Sequence, residues 1–456
     1  MKMGIQEHRL TGDINWIPHQ VRDDSRENKN MDIISSSILE IVSSMKTAWQ
    51  AMNYVWFIAL PPLFFYMFKI YWLRHVQDAY WGAAKWVLLE IIPPKNIEKS
   101  PKPMEGLFAG FAGVEKGFDI AEEYISGMFA DYMSLEIASD QGTVHIYIRT
   151  MKKYRNLVEA HLYAQYPDVE IIEVPDYVDD VPVLIPNNQW DLWGADVVFT
   201  KKDEFFPIRT YQKFQEDITG TMIDPLAGLI ETMGKIGPGQ HLWLQWVIAP
   251  HSPGWVAKAG KKFTDKLKGR EKIEEGPFER FWRDVKDIFS NLFAGLNGPV
   301  EFAAVKKKEE QPLDIRLSPG ERDALKAVED NLGKLQFSTK GRFVYVGRRE
   351  NFDKSLGVSS IWGSLKQFGD DNMNSLKPDN NSKTFANYVF QKSRLRYRQR
   401  KLLRRYRTRN RDGEMLTFSS EELATLFHLP DMNVMAPSLN RVEAKRGGAP
   451  SNLPIE

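Results

Sequence analysis

The strongest chemical signal in the sequence is a basic run, "KSRLRYRQRKLLRRYRTRNR", which extends from Lys392 to Arg411. It holds eleven Lys and Arg side chains in twenty residues and no acidic one. The whole chain has a formal net charge of +1, so the rest of the chain carries −10. Positive charge concentrated in one segment indicates an anionic partner. The candidate anion-binding residues are Arg394, Arg396, Arg398, Arg400, Lys401, Arg404, Arg405, Arg407, Arg409 and Arg411.

Three kinds of partner remain open for this run. An acidic cluster of the same chain could neutralise it; its members are Asp168, Glu170, Glu173, Asp176, Asp179 and Asp180. Anionic lipid headgroups would contribute about 1 kcal/mol for each basic residue near the surface. Nucleic acid fits the excess of Arg, whose planar guanidinium matches phosphate. Only Tyr397 and Tyr406 are interleaved with the cations, so we expect non-specific binding to the DNA backbone rather than base stacking.

Read as a helix, the basic run has an apolar side and a charged side. Leu395, Leu402 and Tyr406 recur at helical spacing and would pack on the body of the protein. The residues that would then point outward are Arg394, Arg398, Lys401, Arg405 and Arg409.

Catalytic and metal-binding patterns are missing from the sequence. There is no cysteine, and the eight histidines are scattered without the spacing of metal ligands. "GLIETMGKI" and "GWVAKAGKKFT" have five residues between their glycines, where a phosphate-binding loop has four, and neither has Ser or Thr after the lysine. The sequence therefore predicts a protein that is not an enzyme and needs no cofactor or metal.

An uncharged stretch near the N-terminus predicts a membrane anchor. The 22 residues "TAWQAMNYVWFIALPPLFFYMF" separate Lys46 from Lys69 and have aromatic residues toward both ends. We expect one transmembrane helix over residues 47–72 after a polar segment over 1–46. The alternative is a buried hairpin of a folded domain. The lysines and arginines flanking the stretch barely differ in number between its two sides, so they do not fix its orientation.

The body of the chain shows alternating strand and helix patterns, which predict an α+β fold. Residues 86–175 read as β-α-β-β-α-β, the split βαβ or ferredoxin-like arrangement. Residues 190–370 read as a second ferredoxin-like module with a helical insertion over 268–317. A basic helix and a C-terminal helix follow over 385–430, and an extended tail covers 431–456.

Within the insertion, residues 277–293 form an aromatic stripe at helical spacing. Such a stripe either lies in the core or faces a partner or a membrane surface. The candidate outward-facing residues are Phe278, Phe281, Trp282, Val285 and Phe289.

Two segments resemble a known family. They are "YIRTMKKYRNLVEAHLYAQYPDVEIIEVPDY" (Tyr147 to Tyr177) and "EELATLFHLPDMNVMAPSLNRVEAKRGGAPSNLP" (Glu421 to Pro454). They are similar to the membrane-anchored, non-motor region that precedes the ATPase domain in bacterial type IV secretion and conjugation-type ATPases of the HerA/FtsK class. The likeness runs from about Leu88 to the C-terminus. No Walker A loop occurs in the sequence, so ATP hydrolysis is not implied.

The resemblance implies a setting for the protein. In that setting it is a non-catalytic accessory component that couples a separate P-loop ATPase, and also DNA, to the bacterial plasma membrane, with the body of the chain in the cytoplasm. The alternative is a membrane scaffold that binds anionic lipid and has no link to DNA or secretion. The sequence leaves the formation of a homo-oligomer open.

Overall fold

The computed structural model describes residues 19–95, 100–201, 203–214, 223–268, 318–431, 439 and 441. The chain divides into two units, Met1–Tyr80 with Ile120–Gly127, and Trp81–Asp119 with Met128–Glu456. The α-helices are α1 (His19–Ala83), α2 (Pro103–Ala112), α3 (Ile120–Tyr124), α4 (Arg155–Gln165), α5 (Ala227–Met233), α6 (Pro253–Leu267), α7 (Pro319–Leu332), α8 (Ser360–Lys366), α9 (Gln391–Arg407) and α10 (Ser420–Leu426). The strands are β1 (Trp86–Ile92), β2 (Met133–Asp140), β3 (Thr143–Met151), β4 (Glu170–Val174), β5 (Trp190–Phe199), β6 (Gln240–Pro250), β7 (Gln336–Arg348), β8 (Leu376–Pro378) and β9 (Leu416–Ser419).

The first unit consists mainly of the long helix α1, which contains Pro61 and Pro62. Within the part of the chain that the structure describes, no helix has a stretch both long and apolar enough to cross a membrane. The prediction of a transmembrane anchor over residues 47–72 is therefore wrong. The stretch is uncharged, but Gln50, the two prolines and the many Trp and Tyr side chains make it less apolar than a spanning helix.

The described strands of the second unit form one nine-stranded sheet in the order β4-β1-β3-β2-β6-β7-β5-β8, and β9 pairs with β7 off this path. Every pair of strands is antiparallel. The fold is therefore α+β, as predicted.

The prediction of two separate ferredoxin-like modules is wrong. Strands β2 and β6, one from each predicted module, pair along their whole length, from Met133 with Ile248 to Asp140 with His241. An unpaired strand edge is an open row of hydrogen-bonding groups, and here the two edges satisfy each other. Strand β9, which belonged to neither predicted module, adds a further pairing to β7. The sheet thus continues across the expected domain boundary.

The two faces of the sheet pack against different elements. Along β7, Phe343 and Tyr345 belong to the larger hydrophobic core, whereas Val344 and Val346 belong to a second core on the opposite face. Successive side chains of a strand point to opposite faces, which explains this alternation. Helices α2, α4, α5, α8 and α10 contribute to the larger core. Helix α9 contributes to the second core, so it alone among these helices covers that face.

Two short sequence patterns have the local structures that their residue types favour. The turn "DQG" joins β2 and β3 as a hairpin, with Gln141 and Gly142 at φ values of +50° and +99°. Two-residue hairpin turns need such positive φ values. Ser318 and Glu321 form a capping box at the start of α7, each side chain accepting from the other's backbone N–H.

Candidate anion-binding site

The basic run forms helix α9 over Gln391–Arg407. Its residues are Arg, Lys, Gln, Ser, Leu and Tyr, without Gly, Pro or a β-branched side chain, and most of these types favour helix. The helix begins after Phe390 and ends before Arg409, and both of these residues have left-handed backbone angles. Such angles interrupt a right-handed helix, so the basic run is helical only as far as Arg407.

Helix α9 is fixed to the sheet by one apolar side and one buried amide. Leu402, Leu403 and Tyr406 are buried in the second core. The Nε2 of Gln399 donates to the carbonyl oxygen of Leu192 at 2.7 Å and to the carboxylate of Asp191 at 2.9 Å. The predicted packing of Leu402 and Tyr406 is therefore confirmed, while Leu395 is only half-buried.

Eight of the nine cations of α9 have no carboxylate partner among the residues that the structure describes, and six of these eight also donate to no backbone carbonyl there: Lys392, Arg396, Arg400, Lys401, Arg404 and Arg405. Lys392, Arg396, Arg400 and Arg404 are exposed, and Lys401 and Arg405 are half-buried. Their side chains form no ion pair with the described residues, although the ammonium group of Lys401 lies 5.7 Å from the ring centroid of Tyr397. The positive charge of this helix therefore remains available to an external anion.

A cavity of about 560 Å³ lies beside the helix. Its helical wall contains Arg394, Tyr397, Arg398, Lys401 and Arg405, and its opposite wall contains Asp196, Asp379, Asn381, Ser382 and Glu414. Arg394 donates to the carbonyl oxygen of Asn387 at 3.0 Å, and Arg398 donates to that of Phe385 at 2.6 Å. Backbone carbonyls orient these two guanidinium groups but do not neutralise them, so the helical wall stays positive.

A buried charge cluster lies next to the cavity. Asp196 pairs with the Nζ of Lys340 at 2.8 Å and with the Nε of Arg342 at 3.0 Å. All three side chains are buried, and burial lowers the pKa of Lys340 and of Arg342. Asp379 also acts on Lys340 and Asp412 on Arg342, so several carboxylates counter the two buried cations.

The C-terminal end of the basic run is neutralised within the protein. Arg407 donates to Asp179 at 2.6 Å. Arg409, which we expected to point outward, is instead buried and binds Glu136 and Asp176. Arg411 is also drawn inward, where its Nη2 donates to the hydroxyl of Ser338 at 3.2 Å. The acidic cluster thus neutralises the last residue of α9 through Asp179 and the segment after it through Asp176, and the earlier cations of α9 have no carboxylate partner among the described residues.

Glu136 is the centre of a buried polar network that holds this end in place. It accepts hydrogen bonds from Ser134 (2.6 Å), Tyr177 (2.7 Å), Gln245 (3.0 Å) and Arg409 (2.9 Å). Burial opposes ionisation of Glu136, but the charge of Arg409 and these donors outweigh it and lower its pKa to about 2. The carboxylate is therefore ionised at neutral pH and anchors the chain just after α9.

Sequence reasoning missed the charged residues inside the strands. Lys340 and Arg342 lie in "STKGRFVYVG", and Glu136 lies in "MSLEIAS". The spacing of two between Lys340 and Arg342 places both on one face of a strand. A pair of cations inside an otherwise apolar strand was the available signal that this face carries buried charge.

The remaining candidates are the aromatic stripe and groups of possible metal ligands. The aromatic residues Phe278, Phe281, Trp282, Val285 and Phe289 lie outside the described residues. Within the described ranges, no group of three or more His, Asp or Glu side chains is arranged to hold a metal ion.

The chain matches a family model over most of its length. This model is described as Domain of unknown function (DUF8128) and matches residues 77–441. That range runs from the last residues of α1 to beyond α10, so it contains all nine described strands and α9. No curated protein matches the chain.

Proposed function

We propose that this chain, which belongs to the DUF8128 family, binds the phosphate backbone of nucleic acid without sequence preference through helix α9. The observation that carries the proposal is the set of α9 cations that have no carboxylate partner among the described residues: Lys392, Arg394, Arg396, Arg398, Arg400, Lys401, Arg404 and Arg405. A helix that binds nothing would gain little from holding so many unneutralised like charges side by side.

The arrangement of these cations suits an extended polyanion. Arg396, Arg400 and Arg404 follow one another at a spacing of four, which places them along one side of the helix. Each step of four residues advances about 6 Å, so the three guanidinium groups form a line roughly 12 Å long. A single small anion would contact one end of that line, whereas a chain of phosphates can contact all of it.

Few groups on α9 are suited to reading base identity. Tyr397 is 65% exposed and could stack on one base, while Tyr406 is buried. Arginine contacts to phosphate fix position but carry no sequence information. The proposal is therefore affinity for nucleic acid in general, with a strong dependence on salt concentration.

The resemblance of Tyr147–Tyr177 and Glu421–Pro454 to the non-motor region of conjugation-type ATPases supports a role for this binding. In that role the protein is a non-catalytic accessory subunit that presents DNA to a separate P-loop ATPase. The resemblance alone supports the ATPase partner, and the charge on α9 supports the DNA.

The test is a salt series of DNA binding by the variant R396Q/R400Q/R404Q. Affinity for a fluorescent mixed-sequence duplex would be measured by anisotropy from low to physiological salt. Each phosphate contact contributes about 0.9 to the slope of log K against log salt for duplex DNA, so losing three should reduce its magnitude by about 2 to 3. An unchanged slope would contradict the proposal.

A control variant separates loss of this surface from loss of charge in general. R155Q/R349Q/R407Q removes the same number of positive charges, but Arg155, Arg349 and Arg407 each pair with a carboxylate. It should keep most of the wild-type slope. Anionic lipid vesicles form a further arm of the same experiment. Binding to vesicles without binding to DNA would contradict the proposal and favour a lipid headgroup as the partner.

A further inference from the structure

Arg149 and Arg411 also lack a carboxylate partner among the described residues. Arg149 lies in β3, next to Ser134 of β2 in the register, and Arg411 lies between α9 and β9. The Nη1 of Arg149 and the Nε of Arg411 are both buried and have no hydrogen-bond acceptor in the described part of the chain. These are different residues from the cations of α9, so they require a separate explanation.

Tyr132 links the two arginines. Its side chain is 8% exposed and hydrogen-bonds Arg149, and the charge of Arg411 also acts on its hydroxyl. Burial raises the pKa of Tyr132, and the two arginines partly oppose that rise. The hydroxyl is therefore protonated at neutral pH and can act as a hydrogen-bond donor.

The charges of Arg409, Glu136 and Asp176 also act on Arg149, but these three groups are bonded to one another and none of them pairs with Arg149. The guanidinium of Arg149 lies 4.3 Å from the ring centroid of Trp86.

Burial lowers the pKa of His251 to about 4, and the positive charge of Arg411 contributes to this change. His251 is therefore neutral at pH 7. Burial lowers the pKa of Arg411 to about 10, and the nearby hydroxyl of Tyr132 partly opposes this change. No carboxylate among the described residues pairs with Arg149 or Arg411.

A buried guanidinium nitrogen without an acceptor is unfavourable, because it has lost its hydration and gained nothing in exchange. An oxyanion would supply the missing acceptors, and Arg binds phosphate through two parallel hydrogen bonds. Both arginines are only half-buried as whole residues, so an anion can reach them.

We infer that Arg149, Tyr132 and Arg411 together bind one tetrahedral oxyanion of the phosphate class. The two guanidinium groups hold its negative oxygens, and the hydroxyl of Tyr132 donates to it between them. The anion is either free inorganic phosphate or the phosphoryl group of a nucleotide, since both present the same oxygens. The site does not depend on the binding of nucleic acid by α9.

The test is a titration of the full chain with sodium phosphate against sodium chloride at matched ionic strength. We expect phosphate to raise the Tm by about 2 °C or more when it saturates the site. It should also change the tryptophan emission, because Trp86 lies against Arg149. The variant W86F should lose the change in emission and keep the rise in Tm. If wild-type protein responds equally to phosphate and chloride, the inference is wrong.

Variants assign the response to these side chains. R149Q and R411Q should abolish the rise in Tm, whereas R349Q, which changes an exposed arginine outside both proposed sites, should keep it. R411K keeps the positive charge but loses the planar fork, and it should weaken phosphate binding at least tenfold. If R149Q or R411Q does not fold, the phosphate affinity of R411K tests the inference instead. An affinity equal to that of the wild type would overturn it. Parallel titrations with inorganic phosphate and with ADP, both without metal, identify the preferred source by the lower Kd.

Discussion

Replacing Arg409 with methionine should destabilise the protein far more than replacing any exposed arginine of α9. Arg409 is fully buried. It donates to Glu136 through its Nε and its Nη2, both at 2.9 Å, and to Asp176 through its Nη2 at 2.9 Å. Methionine fills similar space without charge or donors, so R409M leaves the carboxylate of Glu136 buried and without its cation.

The loss of stability expected for R409M can be derived in two ways. Removing one partner of a buried ion pair usually costs about 3–5 kcal/mol. Independently, Glu136 has its pKa lowered from 4.5 to about 2 by Arg409 and the other donors, against the opposing effect of burial. A difference of this size corresponds to roughly 3 kcal/mol of stability at neutral pH. We therefore expect R409M to lower the free energy of unfolding by about 3 kcal/mol.

Urea denaturation of wild type, R409M, E136Q and R409M/E136Q forms a double-mutant cycle that isolates the pair. The double variant should recover part of the loss in R409M, because the uncompensated carboxylate is then gone. As a control, R400Q removes an exposed arginine without a described ion pair and should change the free energy of unfolding by less than about 0.5 kcal/mol.

The dependence on pH provides a second measurement. The folded pKa of Glu136 is lowered, so its contribution is fully present above the unfolded value near 4.5 and is lost as pH falls toward 2. Wild-type stability should decline over that range more steeply than the stability of R409M/E136Q. A loss below about 1 kcal/mol in R409M, together with the same acid profile in both proteins, would refute the reasoning.

Two further predictions concern close packing and the absence of nucleotide chemistry. A Cβ on Gly194 would lie 2.4 Å from the carbonyl oxygen of Phe343 and 2.8 Å from the Cδ2 of Leu402. The substitution G194A should therefore displace α9 and lower the free energy of unfolding by about 1–3 kcal/mol. An unchanged urea midpoint would count against this packing. The pure protein should not hydrolyse ATP, because neither glycine-rich segment has the spacing of a phosphate-binding loop; steady hydrolysis that survives K235Q and K261Q would reveal a site elsewhere in the chain.

Much of the local structure could be predicted from the sequence alone. The hairpin turn at Gln141 and Gly142, the capping box at Ser318, and the apolar side of α9 at Leu402 and Tyr406 all followed from residues a few positions apart. Turn geometry, capping and helical periodicity are short-range effects, so a short segment contains the information that determines them.

The same short-range reasoning failed where the decisive contact was distant. The strands of both predicted modules were found, but the pairing of β2 with β6 joins residues about a hundred positions apart into one sheet. The stretch over 47–72 was misread because the absence of charge was weighed more heavily than its moderate hydropathy.

The sequence by itself determined that this chain carries a concentrated positive charge on a helix, because both composition and helical periodicity are properties of that segment. Only the tertiary structure decided which cations remain for a partner. Arg409 is neutralised by Asp176, 233 positions away in the chain, and by Glu136, 273 positions away. Arg400 has no such carboxylate among the described residues. Coulombic interactions depend on distance in space and on burial, and the fold sets both.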